Sequence, residues 1–330
     1  MLERPNLSDE QIKHSLHEAY RLTLTQVTFL PIGYDMSASV FRVQATDGHA
    51  YFLKAKTGEI NPASASVPQF LFANGLKSVV APIPTLANEM WTPCGQFTLL
   101  LYLFIEGNSG MDIGLTPSQW IAFGATLRRL HETQLPDTLA AQLAHETFRP
   151  YWSDTLRQVG EKIHTGDIQS ESQQAFAIYW QRHTDTINNI LQRCESLGQR
   201  LQQHPPPFVV CHADCHTANL LIDTHRELHI VDWDQTLFAP RERDLMFVLG
   251  DSTAAFLQGY GSVSVNTQVL AYYRHEWVIQ DMGDFAHRVF LSPNAGLETQ
   301  LDAVRGFQSM FDKDNKDNVV DMALHYRFDD

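Results

Sequence analysis

The sequence predicts an α+β chain in two lobes, a β-rich N-terminal lobe over residues 1–105 and a mainly helical C-terminal lobe over 106–330. Three observations carry this reading. Strand-like apolar runs fill the stretch between Val40 and Ile105. Helical spacing of apolar residues dominates from Thr116 onward. Between the long helices a short β-like region, Phe208 to Asp232, gathers the polar residues that could do chemistry.

Taken in order, the first element is a helix. Ser8 and Gln11 form a capping-box pattern, and Ile12, Leu16 and Tyr20 follow at helical spacing. The period then changes. Val40–Val43 and Ala50–Lys54 read as strands joined by a turn at Asp47-Gly48. Val79–Ala81 and the run from Phe97 to Ile105 read as further strands, and a connector near 103–107 ends the lobe. Thr116-Pro117-Ser118-Gln119 supplies an N-cap, a proline at the first helical position and a capping glutamine, with Trp120, Phe123, Leu127 and Leu130 behind it. Long helices are expected over 172–203 and 266–291. Pro205-Pro206-Pro207 separates the first of these from the β-like region.

Composition limits the function. The 330 residues hold 44% hydrophobic and 19% charged side chains, as a folded globular protein does. The longest apolar run, Leu99 to Ile105, is far short of the roughly 20 residues of a bilayer span. The N-terminus shows no basic stretch leading into an apolar core, so a cytoplasmic protein with no membrane partner is expected. Against 38 acidic residues stand 24 basic ones, a net charge of −14 with no Lys/Arg cluster. That surface repels nucleic acid and attracts a cationic small molecule. The four cysteines, Cys94, Cys194, Cys211 and Cys215, make no disulfide framework. Cys211, His212, Cys215 and His216 lie within six residues with no second cluster, which is not a zinc spacing.

The strongest chemical signal is His212-Ala213-Asp214-Cys215-His216-Thr217-Ala218-Asn219, of the form H-x-D-x-x-x-x-N. Val209-Val210 leads in and Leu220-Leu221-Ile222 leads out. A second strand, Leu228 to Val231, then ends at Asp232-Trp233-Asp234. A base, an amide and a second acid thus emerge from neighbouring strands. Phosphoryl transfer needs this set: a carboxylate to accept the hydroxyl proton and oxygen ligands for magnesium. Asp214 is the expected base, and Asn219 and Asp232 the expected Mg2+ ligands. Lys54, at the end of Tyr51-Phe52-Leu53-Lys54, is the expected phosphate-binding cation, with Lys56 as its competitor. Glu59 follows that strand too closely to be its helical partner and reads as a surface charge. The segment Phe29 to Ser39 is the expected phosphate-covering turn, in which Ser37 and Ser39 offer backbone N–H groups. No G-x-x-x-x-G-K-[ST] or G-x-G-x-x-G motif is present.

The lysine strand, the connector ending Ile105-Glu106-Gly107, His212-Ala213-Asp214 with Asn219, Val231-Asp232-Trp233-Asp234 and Arg243-Asp244-Leu245 together resemble the aminoglycoside phosphotransferase family. The resemblance covers nearly the whole chain, with specific motifs in the C-terminal lobe and loose ones in the N-terminal lobe. It implies a bilobal protein-kinase-like fold and transfer of the ATP γ-phosphate, with GTP also open, to a hydroxyl of an aminoglycoside or aminocyclitol. The 9-hydroxyl of spectinomycin is the specific expectation. It also implies that adenine bonds the Leu103 C=O and Ile105 N–H and that Asp244 braces the catalytic loop. There are departures: Ala213 stands where glycine is usual, and no arginine precedes Asp214. Only 11 residues separate Asp232 from Asp244, too few for a long activation loop.

Substrate contacts are expected from Asp234, with Trp233 beside it, and from Trp277 and Asp281, which share a helix flank with Asp284 next to an apolar stripe of Val278, Met282, Phe285 and Val289. An acid beside an aromatic face suits an ammonium-bearing substrate. The same catalytic residues would serve a kinase for choline, homoserine or a thio-sugar. A nucleotide-binding scaffold without activity is disfavoured by the intact Asp214, Asn219, Asp232 and Lys54. The sequence leaves the oligomeric state open, with a monomer favoured over a dimer.

Overall fold

A computed structural model describes residues 3–32, 37–248, 252–293 and 295–312, together with 320 and 323. The elements follow the chain as α1 (Asp9–Tyr20), β1 (Leu24–Leu30), β2 (Ala38–Ala45), β3 (Ala50–Thr57), α2 (Ala63–Ala73), β4 (Thr92–Cys94), β5 (Phe97–Leu103), β6 (Gly107–Ser109), α3 (Gly110–Ile113) and α4 (Pro117–His131). Then come α5 (Asp137–Ala140), α6 (Ser153–Thr165), α7 (Glu171–Gln203), β7 (Val209–Cys211), β8 (Leu220–Asp223), β9 (Leu228–Ile230), β10 (Leu237–Ala239), α8 (Glu242–Leu245), α9 (Thr253–Tyr260), α10 (Thr267–Phe290) and α11 (Leu297–Ser309). They divide into two compact units, one of residues 1–146 and 207–264, the other of 147–206 and 265–330.

The first unit opens on a five-stranded antiparallel sheet in the order β1-β2-β3-β5-β4. β3 is central, so Lys54 faces Val40 on one neighbour and Leu100 on the other. Phe41, Val43, Leu53, Leu99 and Leu101 form the apolar face, closed by Ile12 and Leu16 of α1. Both reciprocal bonds of the Ser8–Gln11 capping box are made, which is why the chain turns into α1 where it does. The Asp47-Gly48 turn also forms: Asp47 accepts the His49 N–H at 2.8 Å, and Gly48 takes a φ of +89° that a side chain would resist.

One strand expectation fails. Val79–Ala81 is not a strand of this sheet. Val79 makes an isolated parallel bridge to Ile230, and the Val80 N–H donates to Ile230 O at 3.0 Å. Of this run, Val79 is buried in the second core of this unit, together with residues of β8 and β9.

Those short strands form the site's floor. β6, β8 and β9 make a three-stranded antiparallel sheet, and β7 pairs with β10. Their core also takes Phe123, Leu127 and Leu130 of α4 and Phe256 and Tyr260 of α9. α4 starts at the foreseen capping box on Thr116 and Gln119. It meets α9 at backbone contact: a Cβ on Gly124 would sit 2.2 Å from Phe256 O, and one on Gly259 1.9 Å from Ile121 O. Any larger residue at either position drives the helices apart.

The second unit is helical. α7, α10 and α11 pack through Phe176, which stacks on Phe307 at 4.1 Å between centroids, with Trp180 alongside. On α10, Val278, Met282 and Val289 are buried, as their spacing foretells, and Phe285 is half-buried.

Candidate active site

The catalytic loop runs from Cys211 at the end of β7 to Leu220 at the start of β8. It is held from beneath by Asp244 of α8, which is fully buried. Its carboxylate accepts the N–H of His212 at 3.0 Å and of Ala213 at 2.6 Å. This is the brace expected of Asp244. It also pairs with His131 Nε2 at 3.0 Å, and His131 Nδ1 meets the Tyr260 hydroxyl at 2.7 Å. Burial alone would push the Asp244 carboxyl up; the bonds from His131 and Ala213 and the nearby His212 outweigh it and hold it below the usual range.

His212 then locks the loop to the strand after it. Its Nδ1 accepts the Asp214 N–H at 3.2 Å, so Nε2 carries the proton and donates to Val231 O at 2.9 Å. Its ring stands edge-on to Trp233 at 4.6 Å. The strain of this arrangement sits in two residues: Ala213 at φ +70° and Asp232 at φ +62°. Both are left-handed, a conformation costly for a residue with a Cβ.

Asp214 is mostly buried. Burial first, then the negative charge of Asp232, pushes its carboxyl up to about 7, against the pull of Arg243 and the Asn219 hydrogen bond. Asn219 Nδ2 donates to Asp214 O at 2.7 Å and to Asp214 Oδ2 at 3.2 Å, which turns its own carbonyl oxygen away from Asp214. His216 accepts the Ala218 N–H on Nδ1, so its Nε2–H faces Asp214 Oδ1, 3.6 Å away. Burial, and then the neighbouring His212, lower His216 to about 4, so the ring is neutral near pH 7.

At the strand end beyond, Asp232 Oδ1 and Asp234 Oδ2 each accept from Lys54 Nζ at 2.9 Å. Lys54 is only 8% exposed. Burial alone would lower its pKa; the two carboxylates reverse the effect and raise it, so the ammonium is fixed as a cation. Lys56 also reaches Asp234 Oδ2, at 2.5 Å. Lys54 and Lys56 are alternatives in the sequence, yet both are in the cluster.

Lys54, Asp214, Asn219, Asp232 and Asp234 are thus gathered in the first unit. Ser37 and Ser39 lie at the start of β2: Ser37 O accepts the Thr57 N–H at 2.8 Å, and Ser39 is buried. Gly33, Tyr34, Asp35 and Met36 of the expected phosphate turn lie outside the described residues. On the connector, Leu103 is 54% exposed, and the Ile105 N–H has no partner among the described residues. Arg42 of β2 ties the connector down, paired with Glu106 at 2.5 Å and lying over Phe104 at 4.9 Å. Trp277 and Asp281 are half-buried on α10, in the second unit. Glu59 is exposed. His131 and Tyr260 were not foreseen as part of the site; the only trace in the sequence is a histidine ending an apolar helical stripe.

The donors near Asp214 fit a magnesium ion: a carboxylate and an amide carbonyl, hard oxygens on adjacent segments. Asp232 is 46% exposed at its side chain, and its charge already disturbs Asp214. Mutual repulsion between two nearby carboxylates is relieved by a cation.

Comparison with known proteins agrees with this chemistry. Residues 28–274 match the phosphotransferase enzyme family. Among solved structures, a spectinomycin phosphotransferase in complex with ADP and spectinomycin superposes with a TM-score of 0.87 at 27% identity, covering 98% of this chain and 99% of that one. An AMP-bound complex of a spectinomycin phosphotransferase gives 0.81 at 26% identity, covering 97% and 99%. An amicoumacin kinase in complex with AMP-PNP, Ca2+ and its ligand shares the fold, with a TM-score of 0.60 at 17% identity over 97% and 96% of the two chains. No curated protein matches. No helix among the described residues is long and apolar enough to cross a membrane. The sheet, the short-stranded catalytic region and the helices after it are the α+β kinase-like fold that the motifs imply, and the chain belongs to the phosphotransferase enzyme family.

Proposed function

We propose that this phosphotransferase moves the γ-phosphate of ATP to a hydroxyl of an aminocyclitol antibiotic, the 9-hydroxyl of spectinomycin, and so confers resistance to it. The observation that carries the reading is that Asp214, on a loop fixed by Asp244, accepts from Asn219 and feels the charge of Asp232, which itself pairs with Lys54. Asp214 accepts the proton of the attacking hydroxyl as the new P–O bond forms. Its partly exposed carboxylate is oriented by Asn219, and the neutral His216 directs a proton toward it. Lys54 neutralises phosphate oxygens, and the Ile105 N–H, unpartnered among the described residues, suits the edge of adenine together with the Leu103 carbonyl. Asn219 and Asp232 would hold Mg2+, which supplies neutralisation of phosphate charge when bound. Ser37 and Ser39 border the turn proposed to cover the phosphates.

The substrate is the finer part of the proposal. A net charge of −14 favours a cationic acceptor, and full-length similarity to the spectinomycin phosphotransferase favours an aminocyclitol. Trp277 and Asp281 are proposed to meet it. The lobes are proposed to divide near residue 105, with work in the cytoplasm as a monomer. Purified protein with MgATP, challenged with spectinomycin and with choline, tests this. A product heavier than spectinomycin by one phosphoryl group is expected. Phosphorylation of choline alone would overturn the substrate reading, and ATP binding with no turnover of either would leave a nucleotide-binding scaffold.

A further inference from the structure

The lysines of β3 raise a question that the reaction scheme leaves open. Lys54 and Lys56 are two residues apart, so the strand's alternation puts them on one face. Both ammonium groups converge on a single oxygen, Asp234 Oδ2, at 2.9 and 2.5 Å. Lys54 also pairs with Asp232 Oδ1 at 2.9 Å. Among the described residues no helix supplies an acid to this group: α2, Ala63–Ala73, has no acidic residue, and Glu59 before it is exposed.

Now consider what nucleotide binding does to these pairs, given the phosphotransferase reading on which this rests. Asn219 and Asp232 would hold magnesium, and an Asp232 carboxylate shared with that ion would hold Lys54 less strongly. A buried lysine left without an acid would lose its charge or its position. Asp234 is the carboxylate that remains, and it already holds both cations.

We propose that Asp234 is a positioning residue. It keeps Lys54 and Lys56 together as a paired cation after Asp232 has turned to the metal, and Lys56 is a second phosphate-binding cation beside Lys54. The arrangement is an exchange. Before nucleotide arrives, two lysines neutralise two aspartates. Once it has, the lysines face the phosphates, Asp234 anchors them and Asp232 serves the metal. Both the holding charge and the ion-binding charge then come from one short segment, Asp232-Trp233-Asp234, whose middle residue is buried against His212.

Calorimetric binding of ATP, ADP and AMP, with and without Mg2+, tests this without reference to turnover. Asp234→Asn should weaken MgATP binding by about tenfold and raise the Mg2+ concentration needed for half-saturation, while Asp234→Glu restores both to within about threefold. Lys56→Met should weaken ATP and ADP by about tenfold and leave AMP within about threefold, because AMP lacks the outer phosphates. Wild-type affinity and Mg2+ dependence in Asp234→Asn, or wild-type ATP affinity in Lys56→Met, overturns the proposal. Asp234→Glu and Lys56→Met keep the test decisive if Asn at 234 unfolds the chain. Failure of the wild type to bind MgATP would instead count against the phosphotransferase reading itself.

Discussion

Two edges of the same site are built on opposite principles. The catalytic loop rests on Asp244, His131 and Tyr260, a closed network of buried groups whose partners are all protein atoms. The proposed phosphate edge rests on Lys54, Lys56, Asp232 and Asp234, which are joined by ion pairs between lysine and aspartate. The buried first edge should resist rearrangement, whereas the second, whose Asp232 is partly exposed, is proposed to exchange its partners. The difference teaches where to expect rigidity. On the proposed reading, pre-organisation belongs with the base, whose position must be fixed for in-line attack, and exchangeable ion pairs belong with the groups proposed to meet phosphate and metal.

The comparison can be broken first at Asp244. Asp244→Ala leaves two loop N–H groups and His131 without their acceptor and should cost about 3–5 kcal/mol of stability, read from denaturant unfolding. A loss under about 1 kcal/mol would show that the loop does not depend on this support. His131→Ala removes one arm of the same network and opens space beside Tyr260. A cost of about 2–3 kcal/mol is expected, measured the same way.

A third variant acts in the opposite direction. The Asp214 carboxyl lies near 7 in the folded state against an ordinary value of 3.8, so the folded chain binds its proton more tightly. That contribution to stability is complete below about pH 4 and is lost as pH rises through about 7. A rise from 3.8 to about 7 bounds the loss near 4 kcal/mol, and the partial exposure of the side chain reduces it to about 2. Asp214→Asn should therefore melt above the wild type at pH 8 in metal-free buffer, and the gap should close toward pH 5. Added Mg2+ should narrow it too. The smallest effect is expected at Ala213, which holds φ +70°. Ala213→Gly relieves the left-handed strain but frees the unfolded chain, so the net gain should be about 0.5 kcal/mol, a rise in Tm of a degree or two.

The same contrast explains what could be read from the sequence. Local signals were legible: both capping boxes, the Asp47-Gly48 turn, the long helices and the spacing from Asp214 to Asn219 each depend on residues close in the chain. Val79–Ala81 misleads because a short apolar run does not distinguish a sheet strand from a buried segment, and its partner, Ile230, is far away in sequence. Asp244 was expected as a brace, but its partners His131 and Tyr260 left almost no trace, because they come from α4 and α9, which are distant in sequence and meet at Gly124 and Gly259. The choice between Lys54 and Lys56 could not be made from the strand alone. In the structure both lysines reach Asp234 Oδ2.

The central claim is that Asp214 is the base of a phosphotransferase. The direct measurement is phosphorylated spectinomycin formed by wild type and Asp214→Ala at saturating MgATP, with melting curves and MgATP affinity recorded for both. The account predicts a fall in turnover of about 10²–10⁴-fold with folding and nucleotide binding retained. Full turnover by the folded variant would contradict it.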